Sequence, residues 1–360
     1  MTPSLLLRTL RDPASALDLT LAQWDLMLRQ AARAKLMACL VCLFDDAGLA
    51  SSLPAPVLPH LEWTRVMLQR HAMAVDFEVE RIHAALAGLH TPLLLLKGAA
   101  YRAAGLAPAR GRLFSDVDIL VPKARIGEVE AALMMHGWSG AEHDAYDQRY
   151  YREWMHEIPP MQHTRRQSVI DVHHAILPET ARVRPDPARL RAAAVNVPGM
   201  PGVQTLAPFD MVLHSAVHLF YDGEFDNGLR DLFDLHRLLT QFGATPGFWD
   251  GLPARAFELE LARPLLYALR YSARLLDTPV PAAAIAALAP AAPRRGLMML
   301  MDGLFLRALQ PAHASCNDAL TGVARAALYV RGNWLRMPPL LLARHLFHKA
   351  FLSRSGASVS

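Results

Sequence analysis

Two short apolar runs near the middle of the chain interrupt an otherwise helical pattern, and they limit the fold more than any other feature. Thr91-Pro-Leu-Leu-Leu-Leu-Lys97-Gly98 is a continuous apolar stretch bounded by Pro and Gly, too short for a helix and suited to a strand buried on both faces. Asp116-Val-Asp-Ile-Leu-Val121 reads as a second strand, closed by Pro122, which cannot donate to a ladder. A helix from about Ala99 to Ala104 ends at Gly105, and an amphipathic helix from Arg125 to His136 ends at Gly137, glycine being the residue that best accepts the left-handed helix cap. Gln167-Ser-Val-Ile-Asp171-Val-His173 alternates faces and continues the sheet. The spacing predicts a small α/β core over residues 91–177.

The flanks are helical. Residues 1–90 carry apolar positions at helical spacing, such as Leu21, Trp24 and Leu28, then Val75, Val79 and Ile82. The loop around Ser51-Ser-Leu-Pro-Ala-Pro56 divides this segment, with at least two helices expected on each side. Prolines 178, 185, 187, 198, 201 and 208 crowd a stretch with little helical period, which reads as a linker over residues 178–207 or as a peripheral excursion. Residues 208–360 form a C-terminal helical domain, with long amphipathic patterns over 208–240 and 255–276 and a flexible Ala- and Pro-rich connection from Thr278 to Pro293. The expected fold class is α+β, a small sheet-bearing core between N-terminal and C-terminal helical segments. A length of 360 residues allows two or three domains.

Side chains alternate along a strand, so Asp116 and Asp118 share one face while Val117 turns into the core behind them. Two carboxylates aimed at one spot suit Mg²⁺ or Mn²⁺, hard cations that take oxygen ligands and share them with substrate phosphates. An Asp-x-Asp pair is common on solvated strand ends, so its surroundings decide its meaning. Lys97-Gly98 closes one strand and opens a helix, where backbone N–H groups can approach phosphate. Arg110, Arg112 and Ser115 lie just before the pair. Asp171 sits on a later strand with Val169 and His173 on its face, and can bring a third carboxylate to the same place. Three carboxylates can hold two cations, which clamp the attacking and leaving oxygens of an in-line phosphoryl or nucleotidyl transfer. His173 is the better placed of His173 and His174 to contact substrate.

Composition removes several classes. Hydrophobic residues are 52% and charged residues 19% of the chain, which excludes a disordered protein. The net charge of +4 and pI near 9.1 suit a polyphosphate ligand but fall short of a nucleic-acid-binding stripe. Three cysteines, Cys39, Cys42 and Cys316, form no disulfide framework and read as structural residues in a reducing compartment. No signal peptide and no apolar run of membrane-spanning length is visible, so a cytoplasmic protein is expected.

Other candidates have plainer readings. His214 and His218 have zinc-chelating spacing but no HExxH glutamate and no third ligand, and packing is the expected role. Asp231 and Asp234 are expected on a solvated helix face opposite Leu232, Leu235 and Leu239. Arg112 has the plain reading of a surface salt bridge, to Asp116 for example. Tyr146, Tyr150, Tyr151 and Trp154, with Arg149 and Arg152, read as sheet-edge packing in preference to a base-stacking platform.

Leu94-Leu-Leu-Lys97-Gly98, Arg112-Leu-Phe-Ser-Asp116-Val-Asp118-Ile-Leu-Val121-Pro and Ile170-Asp171-Val-His173 together resemble the uncharacterised nucleotidyltransferase family of bacteria, among the DNA polymerase β-like nucleotidyltransferases. The resemblance covers roughly residues 90–240. It implies a small mixed sheet, metal binding by Asp116, Asp118 and a third acidic residue, and a nucleoside triphosphate donor. The acceptor it leaves open: a small molecule, a sugar or a protein, with nucleic acid disfavoured. Where the wider superfamily has Gly-Ser or Gly-Gly, this chain has Lys97-Gly98-Ala99, so phosphate contacts fall to Lys97, Ser115 or Arg112. Two alternatives stand beside this reading. One is a glycosyltransferase using the Asp-x-Asp pair on a nucleotide-sugar, which requires an upstream nucleotide-binding α/β layer; the other is a non-catalytic nucleotidyltransferase-fold regulatory module.

Overall fold

The computed structural model describes residues 4–140 and 154–338; Tyr146, Arg149, Tyr150, Tyr151 and Arg152 lie outside them. The chain enters through helices α1 (Leu5–Arg11), α2 (Leu21–Arg33), α3 (Met37–Asp46) and the long α4 (Leu58–Leu86). Ser4 caps α1, accepting from the Leu7 N–H, and Thr20 with Gln23 closes a capping box on α2. A single 29-residue helix follows the Ser51–Pro56 loop where at least two were expected. Between Pro59 and Leu86 there is neither Pro nor Gly to break it.

The core follows as β1 (Leu93–Leu95), α5 (Lys97–Ala103), β2 (Asp116–Leu120), α6 (Ile126–Met135), β3 (Trp138–Gly140), β4 (Met161–His163) and β5 (Val169–His173). The stretch expected to be a linker also enters the sheet. It carries α7 (Pro187–Ala192), β6 (Val195–Asn196) and β7 (Val203–Thr205), with β7 parallel to β1 and β6 antiparallel to β7. Its prolines sit at a helix start and in turns, where a missing N–H costs nothing. The seven strands are ordered β3-β4-β5-β2-β1-β7-β6 and form a mixed sheet, since β2 runs antiparallel to β1 and parallel to β5.

Beyond the sheet come α8 (Pro208–Asp222), α9 (Gly228–Gly243), α10 (Phe248–Glu258), α11 (Ala262–Leu276), α12 (Ala282–Ala287), α13 (Arg295–Ala308) and α14 (Thr321–Arg336). The Thr278–Pro293 stretch, expected to be a flexible connection, thus contains a short helix, and Ala284 and Leu288 are buried.

The sheet divides two apolar cores. Val117, Ile119 and Val121 of β2, with Leu93, Leu95, Ile170 and Val172, pack on one face against Val75, Val79 and Ile82 of α4 and Val129 and Leu133 of α6. Leu94, Leu96 and Leu120 belong to a second core, which joins the N-terminal helices to α8, α9 and α11. Strand alternation therefore turns Asp116, Asp118 and Asp171 toward the second face, away from the α4–α6 layer.

Candidate active site

The carboxylates meet through strand register. Asp118 is paired directly with Asp171 across the parallel β2–β5 ladder, and Asp116 lies two residues up the same face. One oxygen from each of the three lies within 4.8 Å of the others. Asp118 is buried, and Asp171 and Asp116 are partly buried. The Asp171 Oδ1 atom is buried with no hydrogen-bond partner among the described residues. A buried carboxylate oxygen left in that state costs free energy, and a cation held by the three acids would remove the cost. The donor set therefore fits a hard divalent ion.

Each acid feels a different field. Burial would raise the Asp118 carboxyl, but the Lys97 ammonium and a hydrogen bond from His173 outweigh it and hold the group well below the usual carboxylate range. Burial raises Asp116, and the neighbouring Asp118 charge raises it further. Burial and then the charges of Asp118 and Glu157 push Asp171 up to about 7. Like charges crowded in a poorly hydrated space disfavour the third ionisation.

Lys97 opens α5 with a left-handed φ of 43°, and its Nζ lies 3.8 Å from Asp118 Oδ2. Gly98 is buried, and a Cβ there would stand 2.7 Å from the Phe114 ring. Its lack of a side chain thus lets Phe114 close down beside the Asp pair. Ser115 is exposed next to Asp116. His173 donates from Nε2 to Asp118 Oδ1 at 2.8 Å and faces Glu157 Oε2 with Nδ1 at 3.1 Å. Burial would lower this imidazole, yet the bond to Asp118 and the charge of Glu157 raise it.

Arg112 is buried and ion-paired with Asp234, with Asp231 at 3.7 Å, in place of a surface bridge to Asp116. Asp231 and Asp234 correspondingly leave the solvated face expected for them, because α9 turns them inward to neutralise a buried guanidinium. Gly111 makes this possible: at φ 82° it lies so close to α3 that a Cβ would stand 2.6 Å from the Ala38 carbonyl oxygen. Cys39 donates its thiol to the Gly111 carbonyl at 3.2 Å, and burial pushes that thiol up to about 11. Cys39, Cys42 and Cys316 are all buried and free.

Sequence reasoning missed several members of this neighbourhood. His218 of α8, expected only to pack, lines a small cavity with Lys97, and His214 is buried within reach of the Lys97 charge. Burial and then Lys97 hold His214 well below the usual range, while Lys97 and then burial lower His218 to about 4. A cavity of about 20 Å³ is lined by Lys97, Arg112, Ser215, His218, Asp231 and Asp234 among others. A larger one of about 240 Å³ opens beside Asp116 and Ser115, walled by His71, Glu78, Phe114 and Arg166. It shares His71, Val75 and Phe114 with a further cavity of about 330 Å³ that reaches Arg102 and Arg110. Helical spacing in α8 was a usable signal for the histidines; nothing local marked Glu157, whose place depends on pairing with the end of β5.

A family model described as an uncharacterised nucleotidyltransferase matches residues 20–277, which include every strand among the described residues and the helices that cover the carboxylates. No curated protein matches the chain, and no solved structure does.

Proposed function

As the chain belongs to this uncharacterised nucleotidyltransferase family, we propose that it transfers a nucleoside monophosphate from a nucleoside triphosphate to an acceptor by a two-metal mechanism, with Asp116, Asp118 and Asp171 holding Mg²⁺ or Mn²⁺. The observation that carries this reading is the convergence of the three carboxylates, with a buried Asp171 oxygen lacking any partner. Bound there, divalent cations would supply charge neutralisation to phosphoryl oxygens and orientation to the attacking and leaving oxygens.

The residues around the acids do the rest. An acceptor hydroxyl attacks the α-phosphorus and releases its proton to solvent, the bond from that phosphorus to the bridging oxygen breaks, and pyrophosphate leaves with the electron pair. Lys97, beside Asp118, offsets negative charge on the phosphates. Phosphate contacts are proposed for Ser115, for the backbone at Gly98 and for Arg112, which lines the same small cavity as Lys97. His173 orients Asp118 through its Nε2–H, and substrate contact is proposed for it. The proposed place for the nucleoside is the 240 Å³ cavity that opens on the α4 side at the start of β2, where Asp116 and Ser115 line it, and its apolar and polar lining has the mixed character of small-molecule sites. The proposed acceptor is a small molecule, sugar or protein. The free cysteines fit a reducing, cytoplasmic setting, and no helix among the described residues is long and apolar enough to cross a membrane.

The nucleotide-sugar alternative calls for an α/β layer upstream of the Asp pair, and the described residues before β1 are helical. The direct test incubates purified protein and Mg²⁺ or Mn²⁺ with nucleoside triphosphates labelled at the α-phosphate, against panels of small molecules, sugars, proteins and tRNA. Label moving to an acceptor with the wild type and not with Asp118→Asn supports transfer. Tight nucleotide binding with no label moved in any panel favours the regulatory module.

A further inference from the structure

A second cluster of ligating side chains stands behind the three aspartates. Glu157 forms an antiparallel bridge with His173, the Ile158 N–H donates to the Val172 carbonyl at 3.1 Å, and the His174 N–H donates to the His156 carbonyl at 2.8 Å. Backbone pairing therefore fixes residues 156–158 against the end of β5 before any side chain is considered. One atom from each of His156, Glu157 and His173 lies within 4.8 Å of the others. The two imidazoles stack at 5.3 Å between centroids with 29° between planes.

Two geometric details mark a place for a cation. The His156 Nδ1 atom is buried and finds no hydrogen-bond partner among the described residues, although buried polar atoms are nearly always satisfied. His173 gives its Nε2–H to Asp118, so its other nitrogen is the one facing Glu157 at 3.1 Å. That nitrogen, the Glu157 carboxylate and a His156 ring nitrogen are thus gathered where one ion can be held by all three.

We infer that His156, Glu157 and His173 form a transition-metal site, separate from the three-aspartate cluster and selective for Zn²⁺ or a similar ion over Mg²⁺. Two imidazole nitrogens and one carboxylate suit zinc and its neighbours, whereas Mg²⁺ takes oxygen ligands. Asp118 then plays the part of the carboxylate that accepts the distal N–H of a ligating histidine and fixes its tautomer. The site goes beyond nucleotidyl transfer, and its occupancy is read by metal binding alone.

The test titrates metal-stripped, full-length protein with Co²⁺, following heat and visible d–d absorption. One equivalent should bind with the absorption of a nitrogen-ligated ion, persist in Asp116→Asn/Asp171→Asn, resist excess Mg²⁺, and weaken by about tenfold or more in His156→Ala and in Glu157→Gln. Circular dichroism checks folding, and His156→Gln, which also lacks a ring nitrogen, replaces His156→Ala if that variant unfolds. Binding that is unchanged in His156→Gln/Glu157→Gln, or that disappears in Asp116→Asn/Asp171→Asn, overturns the inference. So does nitrogen-15 NMR showing both His173 nitrogens protonated in the presence of saturating Zn²⁺.

Discussion

Asp118 and Asp171 face each other in register on adjacent parallel strands, yet their carboxyls are driven in opposite directions, Asp118 down by Lys97 and His173 against its burial and Asp171 up by burial and by Asp118 itself. Asp118 is thus ionised at any ordinary pH, while Asp171 gains its charge only around neutrality.

Asp118→Asn keeps an oxygen that can accept from His173 but removes the charge. Nucleotidyl transfer should fall by about a hundredfold or more, the scale of losing one preorganised electrostatic contact, and the melting temperature should fall as well, because the ionised form favoured by Lys97 and His173 is lost. A steady-state rate with labelled nucleotide, beside a thermal melt, reads both. Wild-type activity in this variant rules the acid out as a ligand.

The raised Asp171 group makes stability depend on pH in the metal-free protein. Its folded pKa of about 7 lies above the unfolded value near 4. The native state therefore binds more protons than the unfolded state between these limits, and stability falls as pH rises from about 4 to 7. Melts of metal-stripped protein across that window should show this slope, and Asp171→Asn should flatten it. Mn²⁺ affinity should run the other way, rising with pH toward 7 and above as the carboxyl ionises.

Arg112 and Asp234 form a buried ion pair, so removing one partner strands the other. Asp234→Leu alone, or Arg112→Met alone, should destabilise the chain by about 3–5 kcal/mol, and Arg112→Met combined with Asp234→Leu by clearly less. Chemical denaturation of the two single variants and the double variant measures the coupling. Additive losses would show that the charges do not depend on one another.

Gly111 packs against the backbone of α3 with positive φ, where a methyl group meets both steric and conformational penalties. Gly111→Ala should cost about 2–4 kcal/mol and lower transfer activity as well, because the same turn delivers Arg112 to Asp234. Stability near wild type in this variant would mean that the loop and α3 can move apart.

Much of the core was legible locally. The apolar runs at 93–95 and 116–120, the strand at 169–173 and the helix at 126–135 all appear close to their expected limits, because each pattern repeats within a few residues. Expectations failed where charge or chain pairing came from elsewhere. Helical spacing alone placed Asp234 toward solvent, since it contains no information that Arg112 would arrive from a distant turn. Proline content marked 178–207 as a linker, although β7 finds its partner in β1, about a hundred residues earlier.

The sequence by itself determined that Asp116 and Asp118 share a face with Val117 behind them, because alternation along a strand is a property of the backbone. Tertiary structure alone decided that Asp171 stands opposite Asp118, that Lys97 and His173 reach the same carboxylate, and that Glu157 lies behind them. Register across a crossover of about fifty residues is chosen by which apolar faces pack together, and that choice is made by the whole core at once.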